Sequence, residues 1–523
     1  MIWNKNSFIP DKLNTKRKVM TTKILIKFIT ILLIGSWAIS CTNNKPQTEQ
    51  NTAFILTDST LESAIRTEFR VHPYIASNDI EIEADDGIVT LYGTVDNLLV
   101  CQKAQELTGM IRGVRGVVNL IEVETTLVDD EELKQQVAKL LMNDPVLNAH
   151  KIEVEVDSGI VNLQGKVESW HQKQFAAEVV KTVKGIRKVN NNLAFIYVED
   201  RPASEIKSNI RGLLRNDIRI EDGMIDVNVN GRKVVLSGMV GSAAEKSHTI
   251  VHAWVPGIDT VDAKSLEVSV NKRDTLMRMD KYVGKSDDEI IKAIRMAFKE
   301  DPRLTDYNIQ VALDKGNATL TGTVDHMRAK KAAAENASNI VGVWSVDNKI
   351  QLEPVGMPEK GMLANKVENA IEQHPVFNTL DITITENDAQ TVNIYGEVRY
   401  YFEKIQIENF VSNIPGVSDI SNEVKVMEGQ PMPYTFFAEN YDYPVIHKTQ
   451  EKTDAQIKDD VAYQLWWSPF VDRDQVSIEV ENGSVTLSGT LNTITERDYA
   501  IINAYEGGAV EVKNQLKVDF SQK

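Results

Sequence analysis

The chain has 523 residues, 42% apolar and 25% charged, with 58 basic against 75 acidic side chains and a formal charge of −17. That mixture excludes wholesale disorder and a polytopic membrane protein, and the acidic excess argues against a nucleic-acid partner, whose phosphates call for lysine and arginine. Two cysteines are too few for a disulfide framework or a four-thiolate zinc site, and the length predicts roughly three to five domains.

The first forty-one residues depart from this average. They hold seven basic residues and one acidic residue, Asp11. Residues 24–39 read ILIKFITILLIGSWAI, a stretch shorter than the ~20 apolar residues of a bilayer span and with Lys27 inside it. A basic start, a short apolar run and small residues before a break form the layout of a signal peptide. The break, Ala38-Ile39-Ser40-Cys41, resembles the lipobox of bacterial lipoproteins, although leucine is missing three positions before the cysteine. The resemblance implies that Cys41 is lipidated and begins the mature chain; an uncleaved apolar anchor is the alternative. Met20 gives a signal of normal size, which makes residues 1–19 an upstream extension. Removing the signal leaves 51 basic against 74 acidic residues, near −23. Residues 42–57 are polar and read as a tether.

Beyond the tether one pattern recurs six times. LYGTV, LQGKV, LSGMV, LTGTV, IYGEV and LSGTL each set a glycine behind an alternating apolar run: Gly93, Gly165, Gly238, Gly322, Gly396 and Gly489. A proline lies twenty or twenty-one residues earlier in five copies (Pro73, Pro145, Pro302, Pro375, Pro469). A second glycine lies nineteen or twenty residues later (Gly113, Gly185, Gly257, Gly342, Gly416, Gly508), and an asparagine six beyond that in five copies (Asn119, Asn191, Asn348, Asn422, Asn514). Three markers in phase define an internal repeat.

In chain order, each copy opens with an amphipathic helix. In the fourth, Ser286 and Glu289 form a capping box ahead of Ile290, Ile294 and Phe298; in the sixth, Thr453 and Gln456 repeat it. The proline stops the helix. Alternating runs such as Ile152-Val154-Val156 and Val161-Leu163, joined by turns such as Asp85-Asp86-Gly87, predict a β-hairpin. A second helix follows the anchor glycine, and the second glycine reads as its left-handed C-cap. Eleven residues past the anchor, Ala104, Ala176, Thr249, Ala333, Ile407 and Ala500 read as the contact between this helix and the sheet. A closing strand carries the asparagine. The expected fold class is α+β: six tandem α-β-β-α-β modules, each a three-stranded mixed sheet with two helices on one face.

This pattern resembles the BON domain, through the Asp-Pro or His-Pro before the first strand, the V-x-L-x-G-x-V core and the later glycine and asparagine. The resemblance covers 58–126, 129–198, 203–270, 286–353, 360–427 and 453–519. The third copy diverges, with Asp217-Ile218 in place of Asp-Pro and Ala263 in place of asparagine. An aromatic-rich linker with Tyr434, Phe436, Phe437, Tyr441 and Tyr443 spans 428–452 and reads as a cover for a neighbouring groove, with a partner-binding loop as the alternative.

The chain contains no Walker loop, HExxH, GxSxG or Cys-x-x-Cys. His248 and His252 share a helix face, yet no further ligand recurs beside them, and no metal or cofactor is expected. Cys101 reads as a half-buried thiol, with an intermolecular disulfide as the alternative. Basic residues gather on two second helices: Lys173, Lys181 and Lys184 behind Trp170, and Arg328, Lys330 and Lys331. These seven residues are the candidate contacts to anionic phospholipid headgroups, against a solvated face as the plainer reading. No catalytic residue is expected. The BON resemblance implies a non-catalytic envelope lipoprotein that faces the periplasm, binds phospholipid or envelope proteins, and supports membrane integrity or osmotic and envelope stress protection. An architectural spacer or scaffold is the alternative, and an enzyme with an unrecognised site the remote one. Thr42, rather than aspartate, after the cysteine favours the outer over the inner membrane by analogy with lipoproteins.

Overall fold

The structure, a computed structural model, describes residues 56–519 apart from 73–74, 76–78, 127, 148–150, 196–200, 270–284, 354–360, 388–390, 399–400 and 427–451. Cys41, the signal and most of the tether, Pro73, and nearly all of the aromatic linker therefore lie outside the described residues. No helix among the described residues is long and apolar enough to cross a membrane.

Six copies of one module follow each other. Their first helices are α1 (Asp58–Val71), α3 (Asp130–Met142), α5 (Ala203–Asn216), α7 (Asp287–Glu300), α9 (Met362–Gln373) and α11 (Asp454–Trp467). Their second helices are α2 (Leu98–Gly109), α4 (Trp170–Lys181), α6 (Ala243–His252), α8 (Met327–Ser338), α10 (Tyr401–Ser412) and α12 (Ile494–Glu506). In module one the strands are β1 (Asp79–Asp85), β2 (Ile88–Val95), β3 (Gly116–Asn119) and β4 (Glu122–Val123). β1 and β2 form an antiparallel hairpin; β3 and then β4 run parallel to β2. The other modules repeat this mixed topology. Apolar residues at helical spacing on the first helix (Leu61, Ile65, Phe69) meet the inward side of β2 (Val89, Leu91) and Ala104 of α2 in one core. The eleventh residue past each anchor glycine is fully buried in all six modules, because the second helix lies there against the sheet.

The anchor glycines have backbone φ from +108° to +145°. A Cβ at Gly165, Gly238 or Gly489 would collide with the carbonyl oxygen of the residue just before the first strand, Lys151, Met224 or Gln475 respectively. Only glycine fits both constraints. The second glycine closes the second helix as expected in module six, where Gly508 (φ +104°) follows the C-cap Gly507 and Gly508 N–H and Ala509 N–H donate to Tyr505 O and Ala504 O, but not in modules one, two and four. In module one the C-cap is Met110, with right-handed backbone, and Gly113 lies three residues further on. Gly113, Gly185 and Gly342 instead sit where the chain passes close to the first helix: a Cβ there would press on Leu61, Val128 or Ile290.

Both predicted capping boxes form, at Ser286 and at Thr453. In four modules the residue ahead of the proline has a task that spacing alone did not show. Asp144 and Asp301 accept from the backbone N–H two residues on, at 2.9 Å each; Ser468 does so at 3.4 Å and the Nδ1 of His374 at 3.2 Å. Asp217, which precedes isoleucine, does the same at 2.8 Å, so the third module keeps the turn without its proline. The recurrent asparagine is a clip. Asn119, Asn191, Asn348 and Asn422 each donate Nδ2 to a second-helix carbonyl, of Cys101, Lys173, Lys330 and Lys404. In module three, where Ala263 replaces it, and in module six, where Asn514 accepts from Leu516 N–H instead, the closing strand is continuous, over Thr260–Val268 and Glu511–Val518.

Candidate functional site in the joints between modules

The first residue of a second helix projects from its own module, and in five cases the structure shows what receives that helix start. Leu98 packs against the core of module two. Trp170 stacks on Trp254 of module three, with ring centroids 5.0 Å apart and planes 2° from parallel. Ala243 packs against the core of module one. One rests on two, two on three, and three on one, so the contacts close a ring. The second half of the chain repeats the rule. Ile494 is buried in the core of module four, and the start of α8 reaches the end of α10 in module five, where the Nζ of Lys331 donates to Asn409 Oδ1 at 3.0 Å and Ser412 Oγ at 2.9 Å.

Backbone hydrogen bonds join the two halves in nested order; three share one pattern, and a fourth, Ile218 N–H to Asn339 O (3.0 Å), runs back from module three to module four. Arg112 N–H donates to Trp467 O (3.0 Å, modules one and six), Lys184 N–H to Gln373 O (3.2 Å, two and five), and Val341 N–H to Asn216 O (2.9 Å, four and three). Each donor immediately precedes a second glycine, and each acceptor is the last residue of a first helix. In modules three and five the equivalent donor position is proline, Pro256 and Pro415, which has no N–H to give; module three returns a bond from Ile218 instead. Trp467 is buried within the core of module one, and Arg112 lies over the Trp466 ring, 5.4 Å from its centroid.

Two further joints are near-symmetric. Between modules two and four, Arg328 pairs with Asp144 at 2.8 Å and lies 5.1 Å over the Phe175 ring. His171, the counterpart of Arg328 in module two, feels the charge of Asp301, the counterpart of Asp144. Between modules three and six, His248 faces Phe470 with centroids 6.5 Å apart, and Arg219 senses Tyr499 at the matching positions.

Four of the seven candidate lipid contacts, Trp170, Lys181, Arg328 and Lys331, are engaged by other modules in these joints. Arg328 retains only 15% of its side-chain exposure and is held by Asp144 and by the Asn413 carbonyl (2.8 Å). Lys181 bonds Glu178 (2.7 Å) and Gln102 of module one (2.9 Å). Trp170 is stacked and Lys331 is bonded to module five, as above. Charged and aromatic side chains collected there because buried joints need hydrogen-bonded and stacked partners, a use that looks the same in sequence as a headgroup-binding face. Lys173 and Lys184 remain half-exposed on and just beyond α4, and Lys330 lines an open groove with Lys349, Leu352 and Asp419 between modules four and five.

His248 and His252 do not converge. His252 Nε2 meets Asp217 at 2.6 Å, and Asp217 also binds Arg219 through two hydrogen bonds. Burial pushes His248 down to about 3. Among the described residues no group of three or more His, Cys, Asp or Glu side chains is placed to hold a metal ion. Cys101 is half-buried, 3.5 Å from Asn119 Nδ2, and burial raises its thiol pKa.

A mixed sheet backed by two helices, repeated six times with its helix starts engaged by neighbours, defines a tandem-module protein whose distinctive surfaces are its joints. The chain belongs to the BON domain family: the BON domain model matches residues 57–125, 129–196, 202–269, 286–354, 360–428 and 453–519. Osmotically-inducible protein Y of Escherichia coli (strain K12) is 25% identical over 198 residues, covering 34% of this chain and 97% of that protein. Among solved structures, CdsD, a structural protein of the type III secretion system of Chlamydia trachomatis, is 15% identical, with 43% of this chain and 94% of that chain covered and a TM-score of 0.12. The PrgH periplasmic domain is 9% identical over 42% of this chain and 98% of that chain, with a TM-score of 0.11.

Proposed function

We propose that this protein is a non-catalytic scaffold of the bacterial cell envelope, tethered by lipid on Cys41 and built from six BON modules that act as one body. The observation that carries the reading is the use of the basic helix faces inside the joints: Arg328, Lys331, Lys181 and Trp170 bind other modules. Six independent headgroup-binding modules would leave those faces to solvent. The inducibility named for the E. coli relative supports a role under osmotic or envelope stress, in which a tethered body organises protein neighbours. Membrane attachment then rests on the acyl chains of Cys41, and the exported part, near −23, is repelled by anionic leaflets.

Vesicle flotation tests this. Wild-type lipoprotein should float with phosphatidylethanolamine vesicles with or without phosphatidylglycerol, and a Cys41→Ala variant with neither. Flotation of Cys41→Ala with anionic vesicles, abolished by Lys173→Glu and Lys330→Glu, would return the modules to lipid binding.

A further inference from the structure

The outward sheet face of module one differs from its five equivalents. Ile88, Val118 and Leu120 are 41%, 43% and 53% exposed. They form one cluster: Ile88 pairs with Gly116, Thr90 with Val118, and Leu120 N–H bonds Leu91 O, which sets Leu120 beside Tyr92. Their inward neighbours Val117, Ile121 and Val123 pack into the module core, so the alternation fixes Val118 and Leu120 outward.

At the two β3 positions module two carries Asn190 and Asn192, module three Asp262 and Lys264, module four Asp347 and Lys349, module five Ser421 and Glu423, and module six Lys513 and Gln515. In module two the polar face bonds within itself, Asn190 to Asn162 at 2.9 Å. An apolar face on one copy of a repeat is therefore not demanded by the fold.

The same face is acidic at its margins. Glu81 and Glu83 alternate outward along β1, and Glu122 and Glu124 continue the outward row past Leu120; all four are exposed. The bases that reach this margin are engaged elsewhere: Arg115 pairs with Asp86 at the hairpin turn at 2.6 Å, Arg66 donates to Ile82 O at 3.2 Å, and Arg187 of module two donates to Val123 O at 3.4 Å. An apolar centre with a charged rim is the anatomy of a protein interface, and a carboxylate rim repels an anionic bilayer while attracting a cationic partner.

We propose that this face, centred on Ile88, Tyr92, Val118 and Leu120 and rimmed by Glu81, Glu83, Glu122 and Glu124, docks a protein segment with an apolar centre flanked by lysine or arginine. The assignment rests on the scaffold reading and names the surface through which the scaffold holds a partner.

The probe is the peptide Lys-Lys-Leu-Val-Ile-Leu-Lys-Lys, titrated by calorimetry against the Cys41→Ala chain, with Lys-Lys-Ser-Ser-Ser-Ser-Lys-Lys as the charge-matched control. The first should bind at least tenfold more tightly than the second. Val118→Asn/Leu120→Asn, which installs module two's own residues, should remove that preference without moving the melting temperature. Glu81→Gln/Glu83→Gln/Glu122→Gln/Glu124→Gln should weaken binding at least fivefold at 50 mM salt and leave it nearly unchanged at 500 mM. Equal binding of both peptides, or undiminished preference in the asparagine variant, would overturn the proposal. So would flotation with phosphatidylglycerol vesicles that the asparagine variant abolishes, which would give the face to a bilayer. Flotation of the Cys41→Ala chain that the asparagine substitutions leave unchanged, while they still remove the peptide preference, would refute the scaffold reading and leave this site standing.

Discussion

Arg328 is the most informative side chain to remove. Its guanidinium meets Asp144 of module two at 2.8 Å, with side-chain exposures of 15% and 4%, and reaches the Asn413 carbonyl of module five at 2.8 Å. Arg328→Ala deletes a partner from a buried ion pair and leaves the Asp144 carboxylate accepting from the Val146 N–H alone among the described residues. Breaking such a pair costs about 3–5 kcal/mol, far above the ~0.5 kcal/mol of a surface substitution. Modules can open separately, so the readout should be local: hydrogen exchange of core amides in α4 and α8, with Asp144→Ala and the double variant completing a cycle. We expect the two single variants to be individually costly and coupled by at least ~1 kcal/mol. A change below ~0.5 kcal/mol in Arg328→Ala, with no coupling, would refute the joint and favour an exposed, lipid-facing arginine.

Other perturbations follow from the same geometry. His72, His248 and His374 are pushed down to about 3 and His171 to about 4, all chiefly by burial. They stay neutral in the fold while the unfolded chain takes up protons below about 6.5, so stability should fall as pH drops from about 6.5 towards 3–4, by up to ~1.4 kcal/mol per pH unit for each histidine. Urea midpoints between pH 7 and pH 4.5 measure this, and His374→Asn, which retains a non-titrating acceptor, should remove its share. Gly165→Ala places a Cβ against the Lys151 carbonyl at a φ of +123° and should unfold module two, seen as loss of exchange protection confined to its strands and the joints it makes. Asn348→Ala removes the 2.7 Å clip to the Lys330 carbonyl and should destabilise module four by ~1–3 kcal/mol in the same exchange experiment.

The modules were legible because their constraints are local. Gly165, Gly238 and Gly489 answer to a carbonyl at the entrance of the hairpin, within fifteen residues, and Ser286 with Glu289 to one helix turn. The joints were not legible, because nothing in the sequence neighbourhood of Lys181 points to Gln102, or of Arg328 to Asp144, 184 residues away. Basic side chains over an aromatic read equally well as a headgroup site or a packed joint until the opposing surface is known. Some signal was present: proline at Pro256 and Pro415, where modules one, two and four carry a residue able to donate, marks which partner accepts. Asp-Pro, His-Pro and Ser-Pro shared an acceptor side chain that the proline itself overshadowed. The apolar face of module one was also visible in principle, once the repeats are aligned and Val118 and Leu120 are set against Asn190 and Asn192.

The central claim, that six modules form one body, is tested most directly by hydrogen exchange at three amides. Arg112, Lys184 and Val341 each donate to a carbonyl of a different module. The account predicts that all three exchange orders of magnitude more slowly than free amides, and that deleting residues 453–519 releases Arg112 while Val341 stays protected. Exchange at unprotected rates at all three, beside protected module cores, would contradict it and describe six modules on a string.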